Sequence, residues 1–143
     1  ERAADIGMKG FIVPDLPPEE GEAYLSLTKE KDMAAVMFFT PTSTDKRMVE
    51  VAGQGSGFIY CVARKGVTGQ QTAMDDGLAE YLRRCRQKTD LPLAVGFGIS
   101  SREDVALLEG KADMAVIGTA TIKLVDNEGP EGVGAFIRSL AGE

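Results

Sequence analysis

The residues best suited to chemistry in this 143-residue sequence are glycines that follow short apolar runs. Gly96 and Gly98 come directly after such a run, and they let the backbone approach a ligand closely because they lack a Cβ atom. Ser100 or Ser101 then begins a helix, and Asp104 predicts a capping box with Ser101. The first-turn amides of such a helix would face a ligand above Gly98. A turn of this kind typically binds an anion, most often a phosphate.

A second turn of the same kind follows the next apolar run, residues 114–117, where Gly118 and Thr119 lead directly into another helix. The loop after residue 62 contains Gly66 and Gly69 and is longer than a strand-to-helix connection requires. Any one of these glycines could serve only the packing of a strand against a helix. Two consecutive turns together with the long loop favour phosphate binding over packing alone.

The composition excludes several classes of site. The sequence has no histidine, which excludes Ser-His-Asp and Cys-His sites and a histidine-ligated metal. Cys61 and Cys85 do not form a disulfide framework, so we expect two free thiols in a reducing cytoplasm. The net charge of −6 argues against nucleic acid and anionic membranes as partners. No apolar run approaches the ~18 residues of a membrane span, and no signal peptide is visible.

The pattern of apolar residues predicts a parallel sheet covered by helices. Apolar runs rich in strand formers alternate with segments whose apolar residues recur at helical spacing. The length of 143 residues is that of one domain, and the hydrophobic content of 43% is ordinary for a globular protein with a buried core. The predicted strands are residues 10–13, 34–39, 58–62, 93–95 and 114–117. The predicted helices are residues 18–31, 45–54, 74–88, 101–108, 121–125 and 133–140.

Two architectures fit this order, a doubly wound open sheet and part of a (β/α)8 TIM barrel. The two consecutive glycine turns favour the barrel, because its phosphate site is commonly formed after strands seven and eight. Residues 1–7 are typical of the last turns of a helix ended by Gly7, and the sequence does not begin with methionine. We therefore expect one domain, residues 1–143, that holds strands four to eight and lacks three upstream strands.

Four motifs in this order carry a resemblance to a known family. They are Val13-Pro14-Asp15-Leu16-Pro17, Arg64-Lys65-Gly66-Val67-Thr68-Gly69, Gly96-Phe97-Gly98-Ile99-Ser100 and Ile117-Gly118-Thr119-Ala120. In order and separation they resemble the tryptophan synthase alpha chain over the whole sequence. The resemblance implies a lyase that cleaves indole-3-glycerol phosphate to indole and glyceraldehyde 3-phosphate by a retro-aldol step, with no metal or organic cofactor. It also implies a beta-chain partner that receives the indole.

The resemblance also implies roles for particular residues. Four would hold the phosphate through backbone amides, with the Thr119 hydroxyl as a further donor: Gly69, Gly98, Gly118 and Thr119. Tyr60 and Phe97 would line the indole pocket. Arg64 and Thr68 would lie on a closing loop, where Thr68 would brace a catalytic aspartate. Asp15 and its neighbouring prolines would lie on the rim that faces the partner.

The resemblance places the family's two catalytic carboxylates upstream of Glu1, so we expect this chain alone to be inactive. Loss of a positioned acid would by itself lower the rate by about 10²–10⁴-fold. Two other interpretations stay open. One is another phosphate-binding barrel isomerase or synthase; the other is a non-catalytic partial barrel that binds phosphate. A partial barrel would leave sheet edges and apolar flanks uncovered, which predicts self-association.

Overall fold

Strands and helices alternate along the part of the chain that the structure describes. The structure is a computed structural model that describes residues 2–63, 76–96 and 98–142. The strands are β1 (Gly10–Ile12), β2 (Ala34–Phe39), β3 (Ile59–Val62), β4 (Leu93–Gly96) and β5 (Met114–Val116). The α-helices are α1 (Arg2–Asp5), α2 (Glu22–Glu30), α3 (Asp45–Gln54), α4 (Asp76–Arg86), α5 (Arg102–Ala106), α6 (Thr119–Glu128) and α7 (Val133–Ala141). Two 3-10 helices cover Pro18–Glu20 and Pro130–Gly132.

The five strands form one parallel sheet in the order β1-β2-β3-β4-β5. Each strand pairs with its neighbour in sequence, as expected for successive strand-helix units of a barrel. The register places Tyr60 beside Phe38 on one side and Ala94 on the other, and Gly96 beside Val116. All five carboxyl ends therefore lie at one edge of the sheet. The predicted partial barrel of five parallel strands is confirmed.

The core lies between the sheet and its helices. Alternate strand residues point to opposite faces of a sheet, and here the residues of one face pack against α3 and α4. The buried residues of this layer are Met37, Phe39, Ile59, Cys61, Leu93 and Val95 from the strands and Met48, Val51, Leu82 and Cys85 from the helices. The other face is only partly covered. On this face, Ile12 of the edge strand β1 is 46% exposed and Met114 of the edge strand β5 is 40% exposed.

Helix capping explains two of the predicted helix starts. The Thr44 hydroxyl accepts from the Arg47 amide and begins α3 at the predicted residue. Ser101 caps α5, and Asp104 completes the predicted capping box. The extended backbone of both cap residues lets their hydroxyls reach back to the first turn.

Two predicted helices have wrong boundaries. Pro18 begins a 3-10 helix rather than the α-helix, because the Gly21 amide bonds back to the Pro18 carbonyl and closes the turn. Helix α2 then starts separately at Glu22. Helix α6 begins at Thr119, two residues earlier than predicted, and it continues until Gly129, whose φ of 82° ends it.

A carboxylate joins the amino ends of the last two strands, β4 and β5. Asp113 comes directly before β5 and accepts from the Leu93 amide of β4 at 2.7 Å. It also pairs with Arg86, at the end of α4. The backbone hydrogen bond from Leu93, followed by the bond from Arg86, holds the pKa of Asp113 below its ordinary value. This end of the sheet is therefore fixed by structural contacts, opposite the carboxyl edge.

Three polar side chains meet inside the core. Cys61 and Cys85 are free and fully buried, which confirms the predicted free thiols, and Tyr81 beside them is 4% exposed. The Tyr81 hydroxyl has no hydrogen-bond partner among the described residues. Burial raises the pKa of Tyr81. A buried hydroxyl without a partner opposes folding, because it has lost its bonds to water.

Replacement of Tyr81 by phenylalanine is therefore expected to stabilise the protein. Tyr81→Phe should raise the free energy of unfolding by up to about 1 kcal/mol, since it removes an unpaired buried hydroxyl. Tyr24→Phe is the matched control, because the Tyr24 hydroxyl donates to the Phe11 carbonyl at 3.3 Å; it should lower the free energy by about 0.5–1 kcal/mol. Urea unfolding at low protein concentration measures both. Equal destabilisation by the two substitutions would contradict the assignment.

Candidate functional site

A cavity lies at the carboxyl edge of the sheet, between the ends of β4 and β5. We call it the strand-end pocket; its volume is about 510 Å³. It is lined by Tyr60, Gly98, Ile99, Ser100, Val116, Gly118, Thr119, Ala120 and Lys123. Four of the predicted site residues, Tyr60, Gly98, Gly118 and Thr119, thus lie together. The other four, Arg64, Thr68, Gly69 and Phe97, lie outside the described residues.

The turn after β4 brings Gly98 to the pocket but does not offer all the amides that the sequence predicts. Gly98 has a φ of 82°, a conformation that favours glycine. The Asp104 carboxylate accepts from the amides of Ser100 at 2.8 Å and Ser101 at 3.1 Å, and the Asp104 amide donates to the Ser101 hydroxyl. The capping box therefore occupies these three amides, whereas the first-turn amides of Arg102 and Glu103 form no hydrogen bond with a described residue.

The turn after β5 leads into a helix whose first amides are not occupied by a side-chain cap. Gly118 is the N-cap of α6 and provides no side-chain cap. The first amide of α6 that bonds within the described structure is that of Ile122, which donates to the Gly118 carbonyl at 3.1 Å. The amides of Thr119, Ala120 and Thr121 therefore remain available at the positive end of the helix dipole. The start of α6, where Thr119 and Ala120 line the pocket, thus presents unbonded amides of a kind that can bind an anion.

The two threonines at the start of α6 differ in what their hydroxyls do. The Thr121 hydroxyl donates to the Ile117 carbonyl at 3.0 Å, and this bond fixes the end of β5 to the first turn of the helix. The Thr119 hydroxyl has no hydrogen bond to a described residue, and Thr119 lines the pocket. It is thus available to a ligand, as the predicted role of Thr119 as a donor requires.

An aromatic pair forms the wall of the pocket on the β3 side. The rings of Tyr60 and Phe38 are tilted at 44° with centroids 5.3 Å apart, as expected for cross-strand neighbours. A Cβ atom on Gly96 would collide with the Tyr60 hydroxyl, so the position of this ring requires glycine there. Burial raises the pKa of Tyr60. The wall therefore stays neutral at ordinary pH.

The sequence analysis missed two residues of this region, Phe38 and Lys123. Phe38 lies in an unbroken apolar run, in which the two faces of a strand cannot be told apart until its pairing with β3 is known. Lys123 lies four residues after Thr119, and its place on the same helix face becomes evident only when α6 begins at Thr119. A correct prediction of the first residue of α6 would have identified Lys123.

A second cavity of about 370 Å³ adjoins the aromatic pair on the side away from Gly98. It lies between residues 13–18 and the end of β2, and both Asp15 and Phe38 line it. Arg47 of α3 forms two hydrogen bonds with the Glu19 carboxylate, one of them 2.9 Å long. These bonds lower the pKa of Glu19 to about 2. The ion pair joins the proline-rich loop to α3 along the rim.

The described residues contain no group of three or more histidine, cysteine or carboxylate side chains arranged to hold a metal ion. The strand-end pocket has instead a helix N-terminus with free amides, a hydroxyl and an aromatic wall. This arrangement can hold an anionic group at one end and a planar apolar group at the other. Within the described part of the chain, no helix is long and apolar enough to cross a membrane.

Comparison with known proteins gives a consistent result. The family model described as tryptophan synthase alpha chain matches residues 1–138. The tryptophan synthase alpha chain of Desulforapulum autotrophicum is 55% identical over 140 residues, which are 98% of this chain and 55% of that protein. That of Desulfotalea psychrophila is 55% identical over 138 residues, which are 96% of this chain and 54% of that protein. The chain therefore spans about half the length of these curated relatives.

Solved structures show the same similarity in the fold. A chain in the structure of the tryptophan synthase α2β2 complex from Pyrococcus furiosus is 29% identical, with a TM-score of 0.88; the match covers 99% of this chain and 58% of that one. A chain of tryptophan synthase from M. tuberculosis is 26% identical, with a TM-score of 0.84 over 98% of this chain and 52% of that one. By sequence and by fold, the chain belongs to the tryptophan synthase alpha chain family.

Proposed function

We propose that this chain supplies the phosphate- and indole-binding part of a lyase site that cleaves indole-3-glycerol phosphate to indole and glyceraldehyde 3-phosphate. The single observation that carries the proposal is the strand-end pocket, a cavity lined both by the residues at the start of α6 and by Tyr60. The phosphate binds to the amides of Gly118 and Thr119 and to the Thr119 hydroxyl. Gly98 closes the other side of the anion site.

The aromatic end of the pocket binds the indole ring. Tyr60 is half-buried and packs on Phe38, so its ring is held in place before the ligand arrives. A fixed aromatic wall costs little conformational entropy on binding. The remaining four roles are proposed on sequence alone: Gly69 for the phosphate, Phe97 for the indole, and Arg64 and Thr68 for the loop that covers the ligand.

Catalysis of the retro-aldol step requires a group that delivers a proton to the indole ring. The described lining of the strand-end pocket contains no aspartate or glutamate, and Lys123 is its one charged side chain. This observation also supports a second candidate function, a partial barrel that binds phosphate without catalysis. The two candidates share the anion site and differ only in whether carboxylates from additional sequence complete it.

The substitution Gly98→Asp tests the anion site directly. It should weaken binding of glyceraldehyde 3-phosphate by at least about tenfold, because it introduces a negative charge beside the bound phosphate. Gly98→Asn is the matched control: asparagine has the same shape, and both residues tolerate the left-handed backbone. Titration followed by the NMR shifts of the Thr119 and Ala120 amides measures both affinities. Unchanged affinity of Gly98→Asp for glyceraldehyde 3-phosphate would contradict an anion site beside Gly98.

A second experiment separates the lyase from the binding module. The purified 143-residue chain is expected to release no indole from indole-3-glycerol phosphate above the uncatalysed rate, since the described lining of its pocket has no carboxylic acid. Indole is measured by its absorbance after extraction, with a full-length alpha chain of the family as the positive control. Turnover by the chain alone would show that it holds a catalytic acid of its own.

We also propose a protein partner and a cellular setting. A beta chain binds the rim formed by Asp15 and its neighbouring prolines, beside the ion pair of Arg47 and Glu19. The solved complex from Pyrococcus furiosus is described as an α2β2 assembly, which supports a partner of this kind. Two buried free thiols agree with a reducing cytoplasm.

Copies of the chain are also expected to associate through the edges of the half-barrel. Apolar side chains are exposed near both edges: Ile6, Met8, Ile12 and Leu27 near β1, and Met114, Ile122 and Val125 near β5. Unpaired strand edges flanked by apolar surface promote such contacts.

Sedimentation velocity at increasing protein concentration tests this association. The sedimentation coefficient should rise with concentration, and Met114→Lys should reduce the rise because it places a charge at the β5 edge. Val49→Lys is the matched control, because Val49 is 56% exposed on α3, away from both edges. A single monomer boundary at every concentration would contradict self-association. Addition of a beta chain in the same experiment should produce a heavier boundary.

A further inference from the structure

The charge of the described lining of the strand-end pocket is concentrated in one side chain. Eight of its nine described lining residues are neutral, and the ninth, Lys123, is a lysine. The whole chain carries a net charge of −6, so no general positive field attracts an anion to this edge. Among the described lining residues, Lys123 is therefore the one cation that can offset the charge of a ligand with two negative charges.

The helix geometry directs Lys123 toward the anion-binding end. It lies four residues after Thr119, so the two share one face of α6. Side chains of an α-helix tilt toward its N-terminus, and a lysine on the second turn extends back over the first. The ammonium group can thus reach a ligand held by the free amides of Thr119 and Ala120.

Lys123 also has no competing role. It forms no hydrogen bond or ion pair with a described residue, whereas Lys88 is bonded to Asp45 at 2.8 Å and Lys31 to Glu30 at 2.9 Å. Across the pocket, the Asp104 carboxylate holds the Ser100 amide and adds a negative charge on that side. The positive charge of the Lys123 ammonium offsets the repulsion between this carboxylate and a bound anion.

We propose that Lys123 is a specificity-determining residue that makes the pocket select phosphate monoesters, which are dianions, over monoanionic phosphodiesters. Backbone amides at a helix N-terminus bind either anion through hydrogen bonds and a partial positive charge of about half an elementary charge, whereas a lysine adds a full one. A lysine acts as a point charge, so its contribution grows with the charge of the ligand. The inference rests on the proposed function, since it assumes that the strand-end pocket binds a phosphate group.

Two small probes at one pH test the selectivity. At pH 8 methyl phosphate is a dianion, because the second pKa of a phosphate monoester is about 6, and dimethyl phosphate is a monoanion. The amide shifts of Gly98, Thr119 and Ala120 follow both titrations by NMR. The natural chain should bind methyl phosphate about tenfold more tightly. Lys123→Gln should weaken the binding of methyl phosphate by roughly tenfold and that of dimethyl phosphate by no more than about threefold.

Two further variants make the result specific. Lys123→Arg keeps the charge and should retain most of the preference for methyl phosphate. Lys9→Gln makes the same change in net charge at an exposed position before β1, at the amino end of the sheet, and should leave both affinities within about twofold. Lys123 is itself exposed and unpaired, so its replacement should leave the fold intact, which circular dichroism checks.

The outcomes separate this inference from the function on which it rests. If the natural chain and Lys123→Gln bind methyl phosphate equally, the role of Lys123 is overturned while the anion site stands. If Lys123→Gln lowers the affinity for both probes by the same factor, the selection of ligands by charge is overturned. If the natural chain binds neither probe, both the inference and the proposed function are overturned.

Discussion

The parallel pairing of neighbouring strands is the constraint on which the rest of the structure depends. Because β3, β4 and β5 run in the same direction, the residues that follow them meet at one edge although they are far apart in sequence. Asp113 and Leu93 fix the amino ends of this sheet. The carboxyl ends are thereby free to end in turns that shape a pocket, the division of roles typical of barrel proteins.

Much of this arrangement follows from the sequence. Continuous apolar runs identified all five strands, and the residues Thr44 and Ser101 identified two helix starts, because strand burial and helix capping are local effects. The grouping of Gly98, Gly118 and Thr119 also followed, since each lies in the turn after a strand, whereas Tyr60 was assigned to the pocket through the family resemblance. Local patterns of this kind determine where the pocket lies.

Other features depend on contacts that no local pattern reveals. Phe38 was assigned only to a buried strand, because its role beside Tyr60 depends on the register of β2 against β3. The capping box at Ser101 was predicted correctly, but its consequence was not: the side chain that caps the helix also occupies the amides that a ligand would need. A motif that stabilises a helix start and one that binds anions compete for the same groups.

The close approach of Tyr60 to Gly96 links two positions on neighbouring strands. No side chain fits at position 96 while the tyrosine hydroxyl occupies the space above it. A larger residue on β4 would be compatible only with a shorter one on β3, so substitutions at the two positions would have to occur together. Among proteins that share this half-barrel, the volumes of these two side chains should therefore vary inversely, as a compensating pair within one wall of the pocket.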